Sequence, residues 1–410
     1  MRFVPSVTAA STLLAAALLV PATSANAAHA AAAAAALTCN GSAAPTIGTG
    51  TPNTSMNNKF TSYGNSNALT DDWTGADSTY SVKLADGRTV FGFSDTFLGT
   101  VNANGSRPLA IQDGGTTPFI NNTFVVQSSG GTLSSTAHGG TASSPTALLP
   151  PRDDSHLYWA GDLTTNGSTE IQQPYREYKV GSGDLNVAWE DNVLARFSTS
   201  NLKQPISITP LPSSRKIMWG SGLMKADGYT YIYGTEDLGT DGKHMYVARV
   251  SGTDLRGQWS YLASYGSNPT DPADDTWSTS ESAALRVLSG VSNEFSVSRR
   301  GNFNILLTQD TKLAFSMEID TYLSCSPAGP FGDEKTVYNT PIAKPDGTPY
   351  NDADLYTYNA HAHASLSSAN NLVFSYNMNS LDFTTPAAQK DVYRDVSIYR
   401  PRFVNVPVTG

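Results

Sequence analysis

One short pattern recurs five times along this chain, and its spacing constrains the fold more than any other feature. A strand-like run of aromatic or aliphatic residues ends in a short polar side chain. It occurs at Phe91-Gly92-Phe93-Ser94-Asp95, Tyr158-Trp159-Ala160-Gly161-Asp162, Tyr233-Gly234-Thr235-Glu236-Asp237, Leu307-Thr308-Gln309-Asp310 and Phe374-Ser375-Tyr376-Asn377. The terminal residues of these runs lie 67, 75, 73 and 67 residues apart. Self-similarity at a near-constant period marks repeated supersecondary units, and radial repetition of four-stranded sheets gives a β-propeller. A two-sheet sandwich also supplies many strands but would not place one motif five times at this spacing. The expected fold is all-β, a five-bladed β-propeller.

The ends of the chain are read separately. Met1-Arg2, an apolar run from Leu13 to Val20 and the small-x-small site Ala25-Asn26-Ala27 form a secretory signal peptide over residues 1–27, with Ala30 as the alternative cleavage point. Residues 28–58 read as an Ala/Ser/Thr/Asn-rich leader, and residues 59–410 as a single propeller domain. Helical periodicity is nearly absent after residue 40. No later stretch is long and apolar enough to span a bilayer, so a freely secreted, extracellular monomer is expected. The net charge of -9 argues against nucleic acid as a partner. An exported chain meets an oxidising compartment, so Cys39 and Cys325 are expected to pair.

The first repeat carries the clearest chemistry. Asp77 starts a strand, Ala85-Asp86-Gly87 forms the turn, and Asp95 ends the returning strand. A three-residue hairpin loop with Gly last is a favoured type and sets Leu84 opposite Arg88. In that register Asp77 faces Asp95, with Cβ atoms about 4.5–5.5 Å apart if strictly opposed. Like charges that close cannot both ionise cheaply, so an acid and a base would coexist near neutral pH. Asp95, flanked by Phe93 and Phe97, is expected to be the desolvated acid. Asp77, on the strand lining the wet channel, is expected to stay ionised as base or nucleophile. The competing reading is that both aspartates cap turns or bind a structural ion.

Other polar residues gather at the same mouth of the channel. Trp159 and Trp219 are candidates to stack on a ligand, or else core tryptophans. Asn122, Asp162, Glu236, Glu294, Asp310 and Asn377 are candidate substrate-binding side chains, or else ordinary strand ends. His361 and His363 share a face of one strand, which suggests a ligand contact or a metal at His361, though a histidine pair without a carboxylate partner is more often structural. The segment from Asn268 to Ser282 is the candidate wall of the channel. Neither a nucleophile elbow nor a phosphate-cradling loop is present.

Several runs resemble a known family: Gly75-Ala76-Asp77-Ser78-Thr79-Tyr80-Ser81-Val82, Phe93-Ser94-Asp95-Thr96-Phe97-Leu98-Gly99, Asn121-Asn122-Thr123, Tyr158-Trp159-Ala160-Gly161-Asp162, Asn293-Glu294-Phe295-Ser296-Val297 and Tyr399-Arg400-Pro401-Arg402-Phe403. From about Trp73 to Val406 the chain is similar to secreted actinobacterial domains of unknown function. Those in turn resemble the endo-D-arabinanase glycoside hydrolases, five-bladed propellers distantly akin to the arabinanase and fructosidase propellers. The resemblance implies a hydrolase acting on a furanose-containing polysaccharide, an arabinan above all, with Asp77 and Asp95 as the catalytic pair. It implies no required cofactor and allows a structural calcium in the channel near His361. In the arabinanase and fructosidase pattern the acid is a glutamate on a later blade, which would fall to Glu236 or Glu294 with Asp77 as base. A non-catalytic carbohydrate-binding or cell-surface propeller is the alternative function.

Overall fold

The computed structural model describes residues 37–182, 186–268 and 272–410. The expected signal peptide and the start of the leader lie outside these residues. From Thr38 to Gly410 the chain forms one compact unit built almost entirely of antiparallel strands.

Five sheets have four strands or more, and in each the first three strands follow one another antiparallel. The first is Tyr80–Lys83, Thr89–Phe93, Thr123–Gln127 and Leu133–Ala137. The second begins with His156–Ala160, the third with Met218–Ala226, the fourth with Phe295–Arg300 and the fifth with Leu355–Ala362. Hydrogen bonds between sheets close a ring around a central channel. Ala160 N donates to Ser94 Oγ (2.9 Å), Leu223 N to Asp162 Oδ2 (2.8 Å), Ser221 Oγ to Asn293 O (2.8 Å) and Ala362 N to Ser296 Oγ (2.9 Å). Thr79 Oγ1 donates to Asn377 Oδ1 (3.4 Å), linking the fifth sheet back to the first. The apolar side chains pack between neighbouring sheets: Tyr80, Val90 and Phe124 meet Tyr158, Tyr175 and Phe197, while Met224, Tyr233 and Val247 meet Phe295, Leu306 and Tyr322. Each such buried side chain contributes roughly 1.5–3 kcal/mol. This radial stacking of small antiparallel sheets is that of a β-propeller.

The segment expected as a leader enters the fold from Thr38 onward. Thr46–Ile47 and Thr51–Pro52 both pair with Arg402–Thr409, so the two ends of the described chain share the fifth sheet. A disulfide joins Cys39 to Cys325 in the loop after the fourth sheet's third strand. Helix Thr54–Gly64, which periodicity did not reveal, buries Met56, Asn57, Phe60 and Gly64. Its inward face carries Asn57, which the apolar pattern reads as polar surface. Asn57 Oδ1 in fact accepts from Phe403 N at 2.7 Å. Phe60 sits among Trp73, Phe91 and Phe403, with ring centroids 5.2–5.4 Å away.

The segment expected to wall the channel takes another place. Residues 269–271 lie outside the described chain, and Thr276–Ser278 pairs with Trp259–Ser264 as the outermost strand of the third sheet. Thr276–Ser278 therefore lies at the periphery of that sheet, away from the channel.

Candidate functional site

The first sheet holds the register that its turn dictates. Gly87 adopts φ +88°, and Leu84 N bonds Arg88 O at 2.8 Å. Tyr80 pairs with Gly92 and Lys83 with Thr89, as a three-residue loop requires. Beyond Tyr80 the hairpin kinks: Ser78 has φ +52°, and the chain passes into a small second sheet of Trp73–Ala76, Thr96–Leu98 and Phe119–Ile120. Asp77 and Asp95 sit at that joint. They remain opposite each other, with Asp77 N donating to Asp95 O (3.2 Å) and Ser94 N to Asp77 O (3.0 Å). A left-handed non-glycine residue in such a place is strain of the kind that clusters at functional sites. Gly75 lets the turn before strand Arg402–Thr409 approach: a Cβ there would lie 2.4 Å from Tyr399 O.

Both residues lie deep in protein yet keep some contact with solvent. Their partners are neutral. Tyr358 Oη donates to Asp77 Oδ2 at 2.8 Å, and the Tyr399 hydroxyl adds a weaker contact to the same carboxylate. Asp77 Oδ1 is buried and has no partner within bonding distance. Asp95 Oδ1 accepts from Asn121 Nδ2 (3.1 Å) and Trp159 Nε1 (3.0 Å).

Burial raises both acids. Asp77 is pushed up to about 8 by desolvation, then by the charge of Asp95 and, more weakly, of Glu294. Asp95 is pushed up by desolvation only to about 6, because Asn121 and Trp159 donate hydrogen bonds that favour its charged form. Both members of the pair are therefore raised above the usual aspartate range, Asp77, expected to stay ionised, as well as Asp95. The flanking Phe93 and Phe97 do desolvate Asp95, but two N–H donors offset part of that. The strand expected to be wet places Asp77 against two tyrosines.

The structure gathers some of the other candidates here and disperses the rest. Trp159 joins the site through its N–H to Asp95 and packs on Tyr178 at 4.5 Å. Glu294 lies beside it, receiving Arg176 Nη1 at 3.0 Å. With the Asn359 amide turned to satisfy both its ends, its nitrogen donates to Glu294 Oε2 at 2.6 Å and its oxygen accepts from Ser78 Oγ at 2.8 Å. Asp310 and Glu294 line a cavity of 520 Å³ that reaches Tyr358. A second cavity of 310 Å³ opens on the other side and is lined by Asp95, Phe97, Phe119, Tyr393 and Tyr399.

Six candidates lie elsewhere or are fully engaged. Asn122 is buried and bonds the backbone of Leu149 and Tyr158; its neighbour Asn121, in the link before strand Thr123–Gln127, bonds Asp95 instead. Trp219 is a core residue that donates to Glu281 Oε1 at 2.7 Å and packs on Trp259. Asp162 accepts from the amides of Leu163 and Leu223 and clamps the second sheet to the third. Asn377 bonds Ala76 O and Thr79 Oγ1, which fixes the segment before Asp77. Glu236 in the third sheet accepts from Tyr246 and Arg286; these bonds outweigh burial and hold it below the usual carboxylate range. His361 is buried in the channel, 3.6 Å from Asp162 Oδ2, with neither ring nitrogen hydrogen-bonded. Sequence reasoning missed Asn121, Tyr358 and Tyr399, whose roles depend on sheets that meet only in the folded chain.

A calcium ion takes six to eight oxygen ligands. His361 has one carboxylate neighbour, Asp162, already engaged by two amides. Among the described residues no three His, Cys, Asp or Glu side chains converge on a point. This donor set does not fit a calcium ion. Among the described residues, no helix is long and apolar enough to cross a membrane.

A solved structure of a provisionally named hydrolase from Bacteroides ovatus ATCC 8483 shares this fold, with a TM-score of 0.66 at 22% identity over 87% of this chain and 90% of that one. Weaker likenesses include the α-L-arabinofuranosidase PaAbf62A from Podospora anserina, with a TM-score of 0.41 at 11% identity over 82% of this chain and 91% of that one. The catalytic domain of the Coprinopsis cinerea GH62 α-L-arabinofuranosidase gives a TM-score of 0.43 at 11% identity, over 82% and 91%. No curated protein matches the sequence. The family DUF5005, described as a domain of unknown function, matches residues 57–408, nearly the whole described chain, and the protein belongs to that family.

Proposed function

We propose that this protein is a secreted glycoside hydrolase, monomeric and five-bladed with each large sheet as one blade, that cleaves a furanose-containing polysaccharide, an arabinan above all. One observation carries the reading: two facing, deeply set aspartates with raised pKa values, held by neutral donors. A protonated acid beside an ionised carboxylate is what glycosidic cleavage requires. In this scheme Asp77 donates its proton to the glycosidic oxygen as the bond to the sugar breaks. Asp95, ionised, acts at the sugar carbon as nucleophile or as the base that deprotonates water. Tyr358 keeps Asp77 oriented, and Asn121 and Trp159 hold Asp95 charged. The scheme draws on no cofactor.

Incubation with mycobacterial arabinogalactan and with plant arabinan tests the reading. New reducing ends are expected from at least one, and their disappearance in Asp77→Asn and Asp95→Asn. Binding without cleavage would favour a carbohydrate-binding propeller, and full turnover by both variants would make the pair structural.

A further inference from the structure

The rim of the larger cavity exposes apolar side chains that folding does not explain. Phe315 is 63% exposed and Leu313 72%. Phe315 also has φ +55°, a left-handed backbone that a bulky residue rarely adopts. Strain and an exposed aromatic ring are both unfavourable, and within the chain the ring gains an edge contact with Tyr356, centroids 5.3 Å apart at 66°. Tyr356 lies 5.2 Å from Tyr358 at 35°. Tyr358 bonds Asp77. Three aromatic rings thus step from solvent to the acid, along the 520 Å³ cavity also lined by Glu294, Asp310, Asn293 and Lys243.

We propose that Phe315 and Tyr356 form a stacking platform that holds neighbouring units of a neutral polysaccharide chain and leads it to Asp77. The proposal rests on the hydrolase reading for the direction of the chain, but the platform itself is a binding site. A sugar ring presents an apolar C–H face, which an aromatic ring covers, and a rim of hydroxyls, which the carboxylates, amide and ammonium of this cavity can hydrogen-bond. Glu294 and Asp310, on a protein of net charge -9, disfavour a polyuronate.

Affinity electrophoresis of the full mature chain through gels containing arabinogalactan, arabinan or polygalacturonate tests this without requiring turnover. The wild type should be retarded by a neutral polymer and not by polygalacturonate. Phe315→Ala should bind about tenfold more weakly, the order expected for one lost aromatic contact, and Phe315→Trp should restore retardation. Because Phe315 is exposed, its variants should melt with the wild type. Equal retardation of wild type and Phe315→Ala, or no retardation by any neutral polymer, overturns the platform. The two readings separate cleanly. Retardation lost in Phe315→Ala without any turnover by wild type supports the platform and sinks the hydrolase. Turnover lost in Asp77→Asn with Phe315→Ala unaltered in affinity and KM does the reverse.

Discussion

In the first sheet, strand Thr89–Phe93 delivers Asp95 to a joint where its partners are an asparagine, a tryptophan and, across the hairpin, a second aspartate. In the third sheet, strand Tyr229–Asp237 delivers Glu236 and Asp237 to the equivalent place, where each meets a cation: Arg286 Nη2 at 3.0 Å and Lys243 Nζ at 3.0 Å. The motif is the same and the chemistry is opposite. Glu236, bonded by Tyr246 and Arg286, is held below the usual carboxylate range and is unfit to give up a proton near neutral pH. Where only neutral donors arrive, two carboxylates share one site and burial raises both. An acidic strand end is thus common to four of the five repeats, and the neighbouring sheet decides what it does.

The sharpest way to break this comparison is to remove the charge on each side. Asp77→Asn and Asp95→Asn should each lower kcat on a confirmed substrate by about 10³-fold, the scale of acid–base catalysis. If Glu236→Gln causes that loss instead, the later-sheet glutamate is the acid.

The pH profile sharpens the order within the pair. With Asp95 near 6 and Asp77 near 8, activity should rise as Asp95 ionises, fall as Asp77 loses its proton, and peak between the two. Trp159→Phe removes a donor from ionised Asp95 and should move the acidic limb up by about one pH unit. Tyr358→Phe should instead move the alkaline limb up. Limbs that move the other way round would assign the acid to Asp95.

Stability gives a third, smaller effect. Both folded-state pKa values exceed the ordinary value of an unfolded aspartate, so the native state binds more protons than the unfolded one across that interval. Stability from this pair is therefore present below about pH 4 and declines as pH rises through the folded values, up to about 8. The wild-type melting temperature should fall over that range more steeply than that of Asp77→Asn. Parallel curves would show that burial does not raise these acids.

Glu236→Gln should do least. Arg286 is half exposed, so the lost pair should cost under about 1 kcal/mol, and turnover should stay within twofold of wild type.

How much of this was legible beforehand depended on how local the determinant was. The disulfide partners and the first hairpin's register could be read from the chain. The helix Thr54–Gly64 could not, because Asn57 on its inner face is satisfied by Phe403, a residue 346 positions away. Asn121 rather than Asn122 reaches Asp95, and both lie in the short link between two strands, where no alternation rule says which one faces the pair. Trp159 stands near the end of one sheet's first strand and Trp219 near the start of another's; one finds Asp95 and the other Glu281.

The sequence alone determined the repeat, the all-β character and the opposition of Asp77 to Asp95, because a strand's period of two and a three-residue turn ending in Gly87 fix register within one hairpin. The tertiary structure decided the surroundings that raise both aspartates. Those depend on solvation and on donors brought in from other sheets: Tyr358 from 281 residues away and Trp159 from 64. No local pattern encodes the side chains that surround a buried charge, since they are assembled only when the sheets close around the channel.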